Sequence, residues 1–402
     1  MKILIVDDQQ INLFLLQELL SERYQTLTAL NGNKGLQLAI SEKPDLILLD
    51  IMMPDMDGYE VLRHIRQNPH IKNTIVIMVT AKVDKEAIKA AFMLGADDYL
   101  KKPIDATDLF TKVNVHQQIL NKNKEIAQFQ VYANIYNSMA LAQQIQNALL
   151  PDKATFHQIF PKSFRLFMPK DLVSGDFYYV SQSGSQKFIS VIDCIGHGVP
   201  AAMLTMITFM ALGNLVNHDL ITHPAIVAKR IQTEIAMLFS KSNDIYTITN
   251  GLEATFCEID SSTNVLNFCG AHRPLAIVRH KNDTLIDNGE VIQHTEISGD
   301  WSLFFIKGDG FNIHSDASTC IFNNHKIELS RGDRVFLFTD GYTDQMGGNL
   351  HKRLTKKELL NFILHIQKES IESQKAEFYN HLMQWTGTYE QTDDVLLIGI
   401  EI

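Results

Sequence analysis

Residues 45–50 read DLILLD, four apolar residues closed by the carboxylate of Asp50. A near-continuous apolar run suits a strand buried on both faces of a parallel sheet, with Asp50 at its carboxyl end. TIVIMVT (74–80) has the same character and ends on Thr80. KILIV (2–6) runs into Asp7 and Asp8, and TLTAL (26–30) and DYLKK (98–102) complete a set of five strands. Helical stretches lie between them: Ile11, Phe14, Leu15, Glu18 and Leu19 mark one, and Ala87, Ala90, Ala91 and Leu94, ending at Gly95, mark another. Five strand–helix units within 1–115 predict an α/β doubly wound, flavodoxin-like domain. Chemistry in such sheets sits at the carboxyl ends of the strands.

Asp7, Asp8 and Asp50 would crowd at that one edge. Three carboxylates together are unfavourable unless a cation neutralises them, and Mg²⁺ suits oxygen ligands while keeping phosphate oxygens in its shell. Thr80 can hydrogen-bond a phosphoryl oxygen, and Lys102 can offer a point charge to it. The pieces VDD (6–8), LLDIMMPDMDG (48–58), VTA (79–81) and DYLKKP (98–103) resemble the CheY-like receiver family of two-component systems over the whole segment. The resemblance implies that Asp50 accepts a phosphoryl group from a sensor histidine kinase. It makes Asp7, Asp8, Asp50 and the Met52 backbone carbonyl ligands of Mg²⁺. Thr80 and Tyr99 become the switch pair and Lys102 the phosphate-sensing lysine; Lys101 competes, but the residue directly before the proline fits better. Pro103 resembles the family proline whose preceding peptide is cis, which the sequence permits without showing.

Residues 116–150 hold no Gly or Pro and read as a helical linker. Ile119, Ile126, Ala133 and Ala140 recur every seven residues, with Phe129, Tyr136 and Leu150 partly filling a second seam. Two readings fit: a coiled coil with a second copy, giving a homodimer, or an amphipathic helix packed on its own chain. Gln143 and Asn147 fall inside the stripe, and Pro151 ends it.

The third region, 151–402, changes character. Short strands dominate: FRLFMP, FYYVSQ, KFISVID, LEATFCEID, VLNFCGA, PLAIVRH, DRVFLFTD and DVLLIGIEI. Helices are expected near 199–217, 224–240 and 355–385, which gives an α+β layered arrangement. Residues 280–326 carry the weakest pattern. Four Asp residues stand at or just beyond apolar strands: Asp176 in VSGDFYYV, Asp193 in VIDCIGHGVPAAM, Asp340 in FLFTDGYTDQ and Asp393 in EQTDDVLLIGI. Carboxylates delivered from several strand ends suit a pair of Mg²⁺ or Mn²⁺ ions that clamp a phosphate and activate water for in-line attack. No GxxxxGK[ST] loop offers a competing phosphate site.

Taken in order, with IQNALLP before them, CGAHRPL at 269–275 and the pattern from Trp385 to Val395, these motifs resemble PPM-type metal-dependent protein serine/threonine phosphatases of the SpoIIE and RsbU group. That resemblance implies a β-sandwich phosphatase holding two Mn²⁺ or Mg²⁺ ions. Asp176, Asp193, Asp340, Asp393 and the Cys194 backbone carbonyl would be ligands, with Asp394 second to Asp393. Gly196 and Gly198 would let the backbone pass close to the metals. His197 fits a proton donor or a structural residue, and His272 is equally open. Arg273 fits either a phosphate-binding or a surface role. Two positions depart from the pattern: FYY follows Asp176 where relatives often carry a further Asp, and VLLIG follows Asp394 where a Thr is common. The implied substrate is a phosphoserine or phosphothreonine protein, an anti-sigma factor antagonist of STAS fold in a partner-switching pathway. The rival is a silent pseudophosphatase that sequesters a partner when its receiver is phosphorylated.

The formal charge of −10 argues against a nucleic-acid partner, as does the absence of a helix-turn-helix pattern after residue 115. Cys194, Cys257, Cys269 and Cys320 show no CxxC spacing and read as reduced thiols of a cytoplasmic protein. No apolar run is read as spanning a membrane, and the short N-terminal run reads as a strand rather than a signal peptide.

Overall fold

The computed structural model describes residues 1–81, 85–196, 198–239, 251–280, 284–314, 320–348 and 351–402. It forms two compact units, Met1–Ala133 and Asn134–Ile402.

In the first unit, strands β1 (Lys2–Val6), β2 (Gln25–Ala29), β3 (Leu46–Asp50), β4 (Ile75–Thr80) and β5 (Asp98–Lys101) alternate with helices α1 (Gln10–Ser21), α2 (Gly32–Glu42), α3 (Gly58–Gln67) and α4 (Lys85–Met93). A fifth helix, α5 (Ala106–Leu149), follows β5. The sheet is parallel in the order β2-β1-β3-β4-β5. This is the doubly wound order whose direction reverses between β1 and β3. Alternate residues of β3 feed the two faces: Ile47 and Leu49 join one core cluster, Leu46 and Leu48 the other. Helix α1 forms where expected, but its buried face is Leu13, Leu16 and Leu20. Ile11, Phe14 and Leu15, which marked it in the sequence, face solvent. So many apolar residues surround α1 that their periodicity locates the helix without orienting it.

The expected linker is the direct continuation of the receiver's last helix: α5 runs 44 residues without a break. Every residue from 121 to 130 is exposed, including Ile126 and Phe129. Near its end, the buried Gln146 uses both ends of its amide. It donates to Ser174 O (2.7 Å) and Thr205 Oγ1 (3.0 Å) and accepts from Ser174 N (3.0 Å). These bonds fasten the last turns to the second unit's body, and Pro151 follows.

The second unit opens with α6 (Lys153–Ile159), β6 (Ser163–Met168), β7 (Asp176–Ser183) and β8 (Gln186–Cys194). Next come α7 (Val199–Gly213), continued by a π-helical stretch to His218, and α8 (Pro224–Phe239). Strands β9 (Leu252–Asp260), β10 (Val265–Ala271) and β11 (Leu275–His280) follow. In the stretch with the weakest sequence pattern lie β12 (Leu285–Asp287), β13 (Glu290–Ile292), β14 (Glu296–Ser298), β15 (Trp301–Ile306) and β16 (His325–Glu328). The chain closes with β17 (Arg334–Phe338), the short α9 (Gly341–Asp344), the small hairpin β18 (Met346–Gly347) and β19 (Lys352–Arg353), α10 (Lys356–His365), α11 (Gln374–Thr386) and β20 (Val395–Glu401).

Two antiparallel sheets, β13-β12-β16-β10-β9-β8-β7 and β14-β15-β11-β17-β20-β6, pack face to face. Their strands read on both faces. Along β7, Tyr178 and Val180 enter the core between the sheets, while Phe177 and Tyr179 turn outward under α7 and α8. Helices α10 and α11 cover the outer face of the other sheet through Leu359, Ile363, Phe378 and Leu382. The result is a four-layer sandwich, helix–sheet–sheet–helix. Contrary to the sequence reading, one stretch, Val199–His218, is long and apolar enough to cross a membrane by length and composition. Its Ala201, Leu204, Leu212, Leu215 and Val216 are buried against the sheet, as in a core helix.

Candidate functional site

Two acidic clusters stand out, one in each unit. In the first, Asp7, Asp8 and Asp50 leave the ends of β1 and β3, the neighbouring strands at the switch point. Carboxylate oxygens of the three lie within 4.8 Å of one another. Lys102 Nζ sits 2.7 Å from Asp7 Oδ2 and 2.8 Å from Asp50 Oδ1. Asp7 Oδ1 also accepts from Gln9 N and from Asn12 Nδ2, each at 2.9 Å. Burial lifts the Asp50 carboxyl above the usual range; Lys102 pulls it back, and the Asp7 and Asp8 charges push it up again. Burial disfavours the Lys102 ammonium, but Asp50 and Asp7 more than restore it. The pair therefore favours a charged lysine more than it favours a charged Asp50.

Gly58 explains the DG of this loop. A Cβ there would lie 2.2 Å from the backbone oxygen of Asp50, so only glycine lets α3 start against the end of β3. Asp57 caps that helix by accepting from Glu60 N at 2.8 Å. Thr80 is buried at the end of β4. Tyr99 is half-buried, edge-on to Phe92, with Lys112 over its ring. The Met52 side chain is exposed. The Lys102–Pro103 peptide is cis.

In the second unit, strand register assembles the cluster. Asp176 on β7 stands opposite Asp193 on β8, and Asp193 stands opposite Glu253 on β9. Asp340 arrives from the end of β17, at the start of α9. Oxygens of Asp193, Glu253 and Asp340 lie within 4.8 Å of one another. Glu253 was not singled out in the sequence, where it is one polar residue in LEATFCEID. Strand pairing is what puts it beside Asp193, and only the register could have revealed it.

Asp176 and Asp393 lie outside this closest triad but act on it. Asp176 is buried and accepts from Thr339 Oγ1 at 2.6 Å. Burial first, then the Asp193 charge, holds its carboxyl well above the ordinary range. Asp193 is pushed up to about 8, by burial against the lowering effect of Arg273, with Asp340 and Asp393 adding to the push. Asp393 is raised by burial and partly restored by the Asp394 N–H that it accepts at 2.8 Å.

Asp394 has different work. It is buried and accepts from Lys170 N (2.7 Å) and Gly175 N (2.6 Å), tying the loop before β7 to the strand β20. The Cys194 carbonyl lies beside Gly175, where a Cβ would come within 3.0 Å of it. Gly341 is similarly constrained: a Cβ would fall 1.9 Å from Asp394 O. Gly196 and Gly198 both take positive φ, 104° and 77°. Tyr178, in the departing FYY, is buried and donates to Pro151 O at 2.6 Å. His272 is exposed with φ 60°. His197 lies outside the described residues.

Arg273 is the unexpected member. It is buried, and its guanidinium touches three of the carboxylates. One terminal nitrogen donates to Asp193 and lies 2.9 Å from Asp340 Oδ2. Nε lies 2.8 Å from Glu253 Oε2, close enough for an ion pair but without hydrogen-bond geometry. Burial would weaken the cation, but Asp193, Asp340 and Glu253 hold it above its ordinary value.

The cluster's ligand atoms are carboxylate oxygens, the donors that hard divalent cations prefer. Several of the carboxyls are held high by burial and by one another, so added positive charge is what the site lacks. The residues present therefore fit Mg²⁺ or Mn²⁺.

Comparison with known proteins gives the same division. The Stage II sporulation protein E (SpoIIE) family matches residues 183–402, more than half of the chain. The chain belongs to the SpoIIE family. The response regulator receiver domain family matches residues 3–114. This SpoIIE member is also similar in fold to the SiaA-PP2C domain of Pseudomonas aeruginosa. The TM-score is 0.57 at 23% identity, covering 68% of this chain and 98% of that one. Among curated proteins it is 38% identical over 128 residues to a probable cyclic di-GMP phosphodiesterase of Vibrio cholerae, covering 30% of this chain and 29% of the relative. It is 44% identical over 114 residues to response regulator ArlR of Staphylococcus saprophyticus, covering 28% of this chain and 50% of the relative. The chain thus spans at most half the length of these curated relatives. It joins a response regulator receiver domain to a SpoIIE phosphatase domain of PPM type.

Proposed function

We propose that this SpoIIE-family chain is a metal-dependent protein serine/threonine phosphatase switched by phosphorylation of Asp50. The observation that carries the reading is the convergence of Asp193, Glu253 and Asp340 within 4.8 Å, with Asp176 and Asp393 acting on them. Asp176, Asp193, Asp340, Asp393 and the Cys194 carbonyl hold two Mn²⁺ or Mg²⁺ ions, and Glu253 supports Asp193. When bound, such ions supply Lewis-acid activation of a phosphate ester and of water. Thr339 orients Asp176 through its hydroxyl. Arg273 neutralises the cluster in the metal-free chain and is placed to meet a substrate phosphate beside it.

At the other end, a sensor histidine kinase supplies the phosphoryl group. Asp50 accepts it, Asp7, Asp8 and the Met52 carbonyl hold Mg²⁺, Lys102 pairs with the new phosphate, and Thr80 and Tyr99 respond. The relay passes along α5, whose exposed Ile119, Ile126, Phe129 and Tyr136 suit pairing with a second copy. The domain boundaries of this reading are 1–115, 116–150 and 151–402. The substrate is a phosphorylated anti-sigma factor antagonist of STAS fold. All four cysteines are free, in keeping with a reducing cytoplasm.

Turnover of p-nitrophenyl phosphate with Mn²⁺ tests the enzyme. Activity in the wild type that is lost in Asp193→Ala supports it. A folded wild type without metal-dependent turnover overturns it in favour of a pseudophosphatase. The Arg273 guanidinium, already seated among three carboxylates, is the feature that favours that second reading.

A further inference from the structure

A cavity of about 290 Å³ opens in the second unit between α6, β6 and the start of α11, and none of that unit's acidic-cluster residues lines it. That volume is at the lower end of the roughly 300–1,000 Å³ typical of small-molecule sites. Its charge is unlike that of the rest of the chain. Lys153, Arg165 and Lys375 line it against one carboxylate, Glu372, in a protein of formal charge −10. Neither Lys153 nor Lys375 forms an ion pair or side-chain hydrogen bond among the described residues.

Arg165 is the deepest of the three cations. Its NH1 donates to Pro151 O (3.2 Å) and to the Tyr178 hydroxyl, and its guanidinium lies 4.7 Å from the Tyr178 ring centre. All these partners are neutral. A guanidinium has five N–H donors, and Nε and the second terminal nitrogen of Arg165 have no protein acceptor among the described residues. Burial holds the group below its ordinary pKa, and the nearby Asp152 charge restores only part of the loss. Beside these cations, the largely buried Phe156 and Phe164 border the cavity as an apolar wall, and His157 also lines it, with Nδ1 3.5 Å from Ser163 Oγ.

A half-buried cation with no close ion pair among the described residues, two unpaired lysines and an aromatic wall around one cavity form an anion site with an apolar floor. We propose that this cavity binds a small organic phosphate or phosphonate. Its anionic end meets Arg165, Lys153 and Lys375, and its apolar body lies on Phe156 and Phe164. Arg165 also holds Pro151 and Tyr178, and Tyr178 lies two residues along β7 from Asp176. An occupant therefore bears on the strand that carries one of the acidic-site carboxylates.

Phenylphosphonate is the probe, because it cannot be hydrolysed at a phosphate ester bond. Calorimetric titration into the full chain in the presence of chelator is expected to show one site. Lys153→Met and Lys375→Met each weaken binding by about three- to tenfold, as loss of one charge-assisted contact would. Inorganic phosphate binds more weakly than phenylphosphonate, since it leaves the apolar part of the cavity uncovered. Both lysines are exposed, so the variants keep the fold, which circular dichroism checks. A soaked crystal places the phosphonate group beside Arg165. No binding to the folded chain at millimolar probe overturns the proposal, as do unchanged affinity in both lysine variants and density at the Asp193–Asp340 cluster instead.

Discussion

The two acidic clusters solve one problem by different routes. In the receiver unit, parallel strands end side by side, and the reversal of strand order brings Asp7, Asp8 and Asp50 to one edge. In the sandwich unit, antiparallel register lines up Asp176, Asp193 and Glu253 across three neighbouring strands, and Asp340 arrives from the opposite sheet. Among the described residues, each cluster is ion-paired to one basic residue. Lys102 reaches the receiver carboxylates on a flexible stem with its side chain 20% exposed, and pairs with two of them. Arg273 is held with its side chain 8% exposed and bridges three. A shallow lysine can follow an incoming phosphate, whereas a buried arginine is part of the wall. Similar acidic composition is thus built around a partly exposed cation in one place and around a buried one in the other.

The largest effect should separate the clusters by function. Asp193→Asn is expected to lower Mn²⁺-dependent turnover by about a thousandfold or more, since it removes a charge at the centre of the cluster. Asp50→Asn should leave unstimulated turnover within about twofold of the wild type and abolish any change caused by beryllofluoride. Parallel assays of both variants check this. A full beryllofluoride response in Asp50→Asn would break the assignment of the switch.

Next comes the arginine. Removing one partner from a buried ion pair costs about 3–5 kcal/mol, less where the orphaned carboxyls can take up protons. Arg273→Met is therefore expected to lower the metal-free stability of the sandwich unit by about 2–4 kcal/mol. Mn²⁺ should return most of that, stabilising the variant more than it stabilises the wild type. Denaturation with and without Mn²⁺ reads both numbers. Equal stabilisation of the two proteins by Mn²⁺ would mean that Arg273 is not a stand-in for positive charge at this site.

Much of this was legible beforehand, and the gaps have physical causes. The parallel sheet, its strand ends and the order of the Asp motifs are written in apolar runs that stop on carboxylates. Glu253 was not legible, because nothing in LEATFCEID says which strand it faces. Arg273 looked open between surface and substrate roles, because GAHRP does not disclose that its side chain turns inward while His272 faces out. The buried face of α1 was hidden among surplus leucines. Strands β12 to β16 are mostly short, and in the region of weak pattern it is their ladder partners that define them.

The DG pairs teach a similar point and give a smaller effect. After a strand, Asp-Gly reads as a turn that needs positive φ. Neither Gly58 nor Gly341 is among the positive-φ glycines. Each is required because a backbone oxygen sits where its Cβ would be, 2.2 Å away at Gly58 and 1.9 Å at Gly341. Gly58→Ala and Gly341→Ala are each expected to destabilise their own unit by about 1–3 kcal/mol, with Gly341→Ala the worse of the two. Urea denaturation should show each loss confined to one unit. A loss below 0.5 kcal/mol in both, an order-of-magnitude threshold for surface changes, would show that the loops relax freely.

The smallest expected effect is at Lys102, and it tests the contrast with Arg273 directly. The Lys102 side chain is 20% exposed although Asp7 and Asp50 are buried, so solvent screening at the lysine brings the pair toward the roughly 0.2–1 kcal/mol of an exposed one. Its loss also leaves Asp50, already raised by burial, free to take up a proton rather than stay charged and unpaired. Lys102→Met should therefore change the stability of the receiver unit by no more than about 1 kcal/mol. The same variant should blunt the response to beryllofluoride, because the lysine that follows the phosphate is gone. Near-wild-type stability with a weakened response would place Lys102 in signalling rather than in the fold. A stability loss as large as that of Arg273→Met would erase the distinction between a mobile cation and a built-in one.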